Sequence, residues 1–524
     1  MDEDDLRYRA VQSRDSRFDG CFFVGVTTTG IYCRPSCASV VPRRDRVRFF
    51  RTAAAAQRDG FRACKRCRPD ASPGSPEWNR RSDVVGRAMQ AIADGIVDRE
   101  GVSGLAASLG YSTRQLNRLL LAEVGAGPLE LARAQRAQIA RVLLEGSDLR
   151  AAEVAFAAGF GSVRQFNDTI REVFAETPTD LRRRGRRLGR VEGTARPPMP
   201  PRTGPPGPGI GGGTVSLRLA LRPPMPSLPL FGFLAARAVP GIEAGDATTY
   251  RRTLTLPHGA AVAEVEAPRG DEPFLRATLR LEDLRDLVAA VTRLRHLFDV
   301  DSDPQAVAEV LGRDGLLRPA LALLPGLRVP GHADGNELAV RAVLGQQVSV
   351  AGARTLAARL VAEHGTPLPR VLREPGEADG LTHTFPSPEV VASLSPRDFA
   401  MPARRAAAVI DLADALAAGK VALAPGADRE QAARRLAELP GIGPWTIAYI
   451  EMRALADPDA FLASDLGVRR ALERAGLPGD PRSVEALAER WRPYRAYALQ
   501  YLWSGALGPA GPAAGRPSEK EQSR

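Results

Sequence analysis

The stretch Leu439-Pro440-Gly441-Ile442-Gly443-Pro444-Trp445-Thr446 decides how the C-terminal half of this 524-residue chain is read. Two glycines permit a tight turn, and a proline suits the first position of a helix. Backbone N–H groups are then left facing outward at a helix N-terminus, which suits gripping a phosphate without reading sequence. Asp465 lies beyond Trp445 in Phe461-Leu462-Ala463-Ser464-Asp465-Leu466-Gly467-Val468. It falls in the first turn of an expected helix over 465–475, where the helix dipole favours an ionised carboxylate. Around these residues, alanine- and leucine-rich stretches with helical spacing run from Asp283 to about Gly508. Upstream, Val215–Leu221, Tyr250–Leu256, Ala261–Ala267 and Phe274–Leu279 alternate with period two and read as antiparallel strands.

Residues 191–214, VEGTARPPMPPRTGPPGPGIGGGT, form a Pro/Gly run without apolar periodicity, and so a linker. A second break falls at 71–77 (ASPGSPE). The expected divisions are 1–75, 80–188, the linker 189–214, a strand-rich part 215–300, a helical part 301–508 and a disordered tail 509–524. Charge follows the same divide: residues 1–200 carry a net +10 and residues 201–524 a net +1. A polyanion is the expected partner of the basic part. With 44% hydrophobic and 25% charged residues, the composition is that of soluble globular protein. No stretch approaches 18 uninterrupted apolar residues, and the start Met1-Asp2-Glu3-Asp4-Asp5 is unlike a signal peptide. A soluble protein of a reducing compartment, off the membrane, is expected.

All five cysteines lie in the first 67 residues. Cys33-x3-Cys37 and Cys64-x2-Cys67 are two close pairs with the spacing of a tetrahedral zinc site. Spacing alone leaves two readings open, a structural zinc knuckle and a zinc-bound thiolate that is itself a nucleophile. Cys21 falls outside the quartet and is expected as a small buried hydrophobe. The segments Phe18-Asp19-Gly20, Phe23-Val24-Gly25-Val26, Thr28-Thr29-Gly30-Ile31-Tyr32-Cys33-Arg34-Pro35-Ser36-Cys37 and Gly60-Phe61-Arg62-Ala63-Cys64-Lys65-Arg66-Cys67 resemble the N-terminal domain of Ada-type methylphosphotriester repair proteins. The resemblance implies that Cys33, bound to Zn2+ with Cys37, Cys64 and Cys67, takes a methyl group irreversibly from DNA. Where that family commonly carries basic residues after the second cysteine, this chain has Ala38-Ser39-Val40-Val41 before Arg43 and Arg44.

Leu105-Ala106-Ala107-Ser108-Leu109-Gly110-Tyr111-Ser112-Thr113-Arg114-Gln115-Leu116 reads as helix, glycine turn and a second helix with a Ser/Thr cap. The pattern returns in Val154–Phe166, after a connecting helix Leu129–Leu144. With the ending Phe174–Arg182, the pair resembles the AraC-type DNA-binding domain. In such units the second helix enters the major groove. The candidate base readers are Thr113, Arg114, Asn117 and Arg118, then Arg164, Gln165 and Asn167.

In the C-terminal half, the hairpin followed by Asp465 resembles the helix-hairpin-helix glycosylase superfamily. Three segments bring the resemblance closer to AlkA-type alkylbase glycosylases: Arg341–Val350, the LPGIG-x-WT stretch, and Arg490–Leu499 through Trp503. It implies a flipped base stacked in a pocket of Trp445, Tyr449 and Trp503, with Asp465 as the catalytic carboxylate. Gly441 and Gly443 would grip DNA, and Gln347 stands where the family wedges an apolar side chain into the duplex. The related bifunctional enzymes place a Schiff-base lysine where Trp445 stands, and no lysine lies between Lys420 and Lys520. Lyase activity is therefore not expected.

The fold expected overall is multidomain α+β: a small four-cysteine zinc module, an all-α AraC-type double helix-turn-helix, then a strand-rich subdomain and a helical helix-hairpin-helix glycosylase domain. The resemblances imply a monofunctional DNA-3-methyladenine glycosylase that is also a single-turnover cysteine methyltransferase and a transcription regulator. Its implied partners are alkylated and promoter double-stranded DNA and RNA polymerase. A monomer in the bacterial cytoplasm, associated with the nucleoid, is expected.

Overall fold

Strand Phe23–Val26 (β1) can lie at the centre of the first sheet because Gly25 has no side chain. A Cβ there would come within 2.7 Å of the Phe50 ring and 2.8 Å of the Phe61 ring. Strands Ile31–Cys33 (β2), Val47–Phe50 (β3) and Arg62–Ala63 (β4) complete a sheet of order β3-β1-β2-β4. In it β2 and β4 run parallel. The computed structural model describes residues 3–14, 18–19, 21–67, 69, 84–146, 149–191, 212–270, 272–373, 380–424 and 426–506. The expected linker at 189–214 lies mostly outside the described residues, and the break at 71–77 and the tail at 509–524 lie wholly outside them.

The second module is helical. Ile96–Leu109 ends on Gly110, whose φ of 77° lets the chain turn into Thr113–Val124. Ser112 and Gln115 form a reciprocal capping box at that second helix. The connecting helix Pro128–Gly146 leads to Ala151–Ala157, a turn at Gly159, and Val163–Phe174, which Ser162 caps by accepting the Gln165 N–H at 3.1 Å. Both helix-turn-helix units are therefore built as the cap and turn residues require.

The strand-rich part forms one antiparallel sheet of Gly213–Ala220 (β5), Glu243–Gly245 (β6), Thr249–Leu256 (β7), Gly259–Glu266 (β8) and Phe274–Leu281 (β9), in the order β5-β9-β8-β7-β6. Apolar side chains of helices Ser227–Ala236 and Leu287–Leu297 pack into the same core as the sheet. The edge strand Glu243–Gly245 and the helix Ser227–Ala236 were not read from the sequence. The helical remainder also contains a two-residue strand pair, Thr366–Pro367 with His383–Thr384.

A buried ion network joins the sheet to helix Gly335–Leu344. Arg252 donates to Glu337 at 2.7 Å, and Arg341 donates to Glu337 at 2.7 Å and Glu243 at 3.0 Å. Tyr250 adds a 2.6 Å hydrogen bond to Glu243. Glu243, His332 and Glu337 lie close enough together to suggest a metal site, but two guanidiniums already neutralise these carboxylates.

The modules are packed together rather than strung out. One apolar cluster contains Phe23, Tyr32 and Phe61 of the first module, Leu143, Phe166 and Leu181 of the second, and Val215, Leu279 and Leu294 of the third. Thr52 caps its own helix and donates to Val124 O at 3.1 Å. Arg87 donates to Gly426 O and to Asp428, each at 3.1 Å, while Gly426 N donates to Gln90 at 3.1 Å. No helix among the described residues is long and apolar enough to cross a membrane.

Candidate functional site

The cysteine quartet is assembled by the parallel pairing of β2 with β4. Cys33 ends β2, and Cys64, just past β4, donates its backbone N–H to Tyr32 O at 3.0 Å. All four sulfurs lie within 4.8 Å of one another. Cys37, Cys64 and Cys67 are buried residues, whereas Cys33 is partly exposed. With no cation among them, the Cys33 thiol is raised far above its ordinary range by donating to the crowded sulfurs of Cys37, Cys64 and Cys67, and Cys37, which accepts from it, is pushed far below. Sulfurs this crowded can all ionise only around a cation, so the donor set fits zinc. Cys21 lies outside the quartet as expected. It is partly buried against a small cluster that contains Phe22 and Val24, not fully buried as expected.

In the helical module, Thr113, Arg114, Asn117 and Arg118 all face solvent on one exposed helix. Arg164 and Gln165 are exposed on the other, and Asn167 is half-buried. Gln165 accepts the Gly161 N–H at 3.2 Å, so part of its hydrogen-bonding capacity serves the turn.

The C-terminal hairpin forms as its glycines and proline demand. Gly441 adopts φ +83°, Gly443 is the N-cap and Pro444 opens helix Pro444–Arg453. Beside it, Gln346 donates to Gly441 O at 3.0 Å and Thr446 Oγ1 at 2.9 Å. Those bonds bring Gln347, exposed and at φ +56°, to the same edge as the hairpin.

Asp465 is the N-cap of helix Leu466–Arg474, one position earlier than the first-turn placement expected, because its side chain accepts the Val468 N–H at 3.1 Å. Its Oδ1 also accepts the Trp503 indole N–H at 2.9 Å, and Oδ2 accepts that of Trp445 at 3.1 Å. Trp445 stacks on Tyr449 with ring centroids 5.1 Å apart, and Trp503 stacks on Phe233 at 6.5 Å. Two of the expected residues, Trp445 and Trp503, therefore converge on the Asp465 carboxylate, and Tyr449 stacks against the first of them. Arg453 donates to Tyr449 Oη at 2.7 Å, and the Arg237 guanidinium lies 3.7 Å from the Phe233 ring centroid. Burial works to raise the Tyr449 phenol, but Arg453 and Arg237 outweigh it and hold it below the usual range. Sequence reasoning missed Phe233, Arg237 and Arg453. The available signal was an arginine four residues after an aromatic near a helix C-terminus, in both Phe233/Arg237 and Tyr449/Arg453.

This fold and these sites define a class, the fused DNA-damage regulator and base-excision protein. Four family models match along the chain: "Metal binding domain of Ada" over 6–70, "Helix-turn-helix domain" over 105–184, "AlkA N-terminal domain" over 216–334, and "HhH-GPD superfamily base excision DNA repair protein" over 340–494. The "Probable bifunctional transcriptional activator/DNA repair enzyme AlkA" of Mycobacterium tuberculosis is 52% identical, covering 95% of each chain. The chain belongs to this family of bifunctional transcriptional activator/DNA repair proteins. DNA-3-methyladenine glycosylase 2 of Escherichia coli is 36% identical over 52% of this chain and 92% of its own. The Escherichia coli enzyme Ada, a "Bifunctional transcriptional activator/DNA repair enzyme", is 31% identical over 35% of this chain and 51% of its own.

Proposed function

We infer that this chain is a DNA alkylation-damage response protein with two chemistries. It accepts a methyl group from DNA methylphosphotriesters on Cys33, and it hydrolyses the N-glycosidic bond of alkylated bases such as 3-methyladenine. The paired helix-turn-helix units regulate transcription.

At the quartet, the Cys33 sulfur attacks the methyl carbon of the phosphotriester. A sulfur–carbon bond forms, a carbon–oxygen bond breaks, and the DNA phosphodiester leaves as an anion. Bound zinc keeps the sulfurs ionised at neutral pH. Cys37, Cys64 and Cys67 complete the ligand set, and Cys33 is the member left half-exposed. Methylation makes the quartet one charge less negative, which weakens its repulsion from DNA and favours promoter binding by the exposed helices.

In the pocket, the electron-rich faces of Trp445, Tyr449 and Trp503 take the cationic alkylated base, and Phe233, whose ring already meets the Arg237 guanidinium, backs Trp503. As the glycosidic bond breaks, positive charge builds on the sugar, and the Asp465 carboxylate stabilises it and positions water. The two indole N–H bonds hold the carboxylate still, so its effect is greatest in the transition state. The observation that carries the glycosylase reading is this convergence of two pocket tryptophans on Asp465. Gly441, Gly443 and Gln347 supply the duplex grip beside the pocket.

We read the chain as divided at 75, 188, 214 and 300, acting as a cytoplasmic, nucleoid-associated monomer that contacts RNA polymerase. Exposure of both recognition helices in the packed chain supports the regulatory part of this reading.

The test is Asp465→Asn in single-turnover assays on alkylated duplex. Base release is expected to fall about a hundredfold or more with DNA binding retained. If the C-terminal half only binds damaged DNA and the chain is mainly a regulator, the substitution changes nothing.

A further inference from the structure

The loop between the first two zinc ligands is held by a residue outside the quartet, and that residue is held in turn by the glycosylase half. Asp19 is 4% exposed. Its carboxylate accepts the Ser36 N–H at 3.0 Å and the Ser36 hydroxyl at 2.5 Å, and it pairs with Arg34 at 3.3 Å. Arg34 and Ser36 are two of the three residues between Cys33 and Cys37. The backbone carbonyl of Asp19 accepts a hydrogen bond from Arg222 Nη2. Arg222 follows β5, is 5% exposed, and is anchored in its own half by donating to Asp301 O at 3.1 Å. Its own carbonyl accepts from the buried Arg328. Burial works to raise the Asp19 carboxyl, with Ser36, Arg34 and Arg222 opposing, so the Arg222 charge reaches this carboxylate as well as its backbone.

We propose that Arg222 is a positioning residue of the methyl-acceptor site, fixing Asp19 and through it the Arg34–Ser36 segment that presents Cys33. The methyl-acceptor module is thus completed by a residue about two hundred positions away in the glycosylase half. The consequence is kinetic. Arg34 is the cation next to the acceptor sulfur, and the phosphodiester that leaves is an anion, so misplacing this segment slows transfer without dismantling the quartet. Docking of the two halves then sets the rate at which Cys33 is used.

This inference rests on Cys33 being the acceptor, and the experiment separates the two. Full-length wild type, Arg222→Ala and Arg222→Lys are mixed in excess with a methylphosphotriester oligonucleotide, and the mass of the Cys33 peptide is followed with time. Each protein is also loaded with Co2+, whose thiolate absorption reports the quartet. Wild type is expected to be methylated on Cys33, Arg222→Ala to be slower by about tenfold or more with the Co2+ spectrum unchanged, and Arg222→Lys to recover much of the rate. An Arg222→Ala protein that transfers at the wild-type rate overturns the proposal. So does loss of the Co2+ spectrum in step with the rate in both variants, which would make Arg222 a structural strut. A wild type that gains no methyl on Cys33 overturns the acceptor reading and the inference with it.

Discussion

Glu451 and Asp465 lie on neighbouring elements of the glycosylase half in opposite environments. Asp465 is surrounded by donors, two indoles and a backbone N–H, while Glu451 is pushed up to about 7 by burial and by the charge of Asp457, which Arg429 and Arg495 only partly offset. The folded chain therefore keeps the Glu451 proton over a range in which the unfolded chain, near 4.5, has released it. The stability this group contributes is fully present below the unfolded value and is lost as pH rises toward 7. Glu451→Gln is neutral at every pH, so its melting temperature should exceed that of wild type at pH 8 and match it near pH 4.5. Melting curves at the two pH values check this, and a pH-independent difference would contradict it.

At the scale of elements, the turn after helix Gly335–Leu344 stands out. Gln347 holds a left-handed backbone at φ +56°, which costs a non-glycine residue on the order of 1 kcal/mol, and it projects next to the hairpin that Gln346 ties down. If the side chain fills the space a flipped nucleotide vacates, Gln347→Ala should lower base release from duplex roughly tenfold, a fraction of the few kcal/mol that unstacking costs. Release from single-stranded DNA should be nearly unchanged. Equal losses on both substrates would contradict the assignment. The hairpin, the Ser112 and Ser162 caps and the cysteine pairs were legible in the sequence because each is a local requirement, satisfied within a few residues of chain. Asp465 was legible by its spacing, but its exact place was decided by the Val468 N–H. Phe233 was not legible, because it reaches Trp503 from a helix 270 positions away, and an apolar helix carries no mark of what it faces. The same holds for Arg222 and Asp19, whose contact joins two halves of the chain across a Pro/Gly segment that advertises separation.

At the scale of the whole molecule, three modules that read as separate units share one apolar cluster and several buried hydrogen bonds. Net charge alone points to the N-terminal part as the DNA-binding end, since the C-terminal residues are nearly neutral. The C-terminal half nonetheless matches a base excision DNA repair family, and it carries the glycine hairpin and an aromatic cluster around one carboxylate. The central claim is that one packed chain carries out both a self-consuming methyl transfer and a repeated base excision. The most direct measurement incubates purified protein with methylated duplex DNA and reads two outputs from the same tube, free 3-methyladenine and the mass of the Cys33 peptide. Base release over many turnovers and a single methyl group added to Cys33 are expected. No released base, or a methyl group found on Cys37 alone, would contradict it.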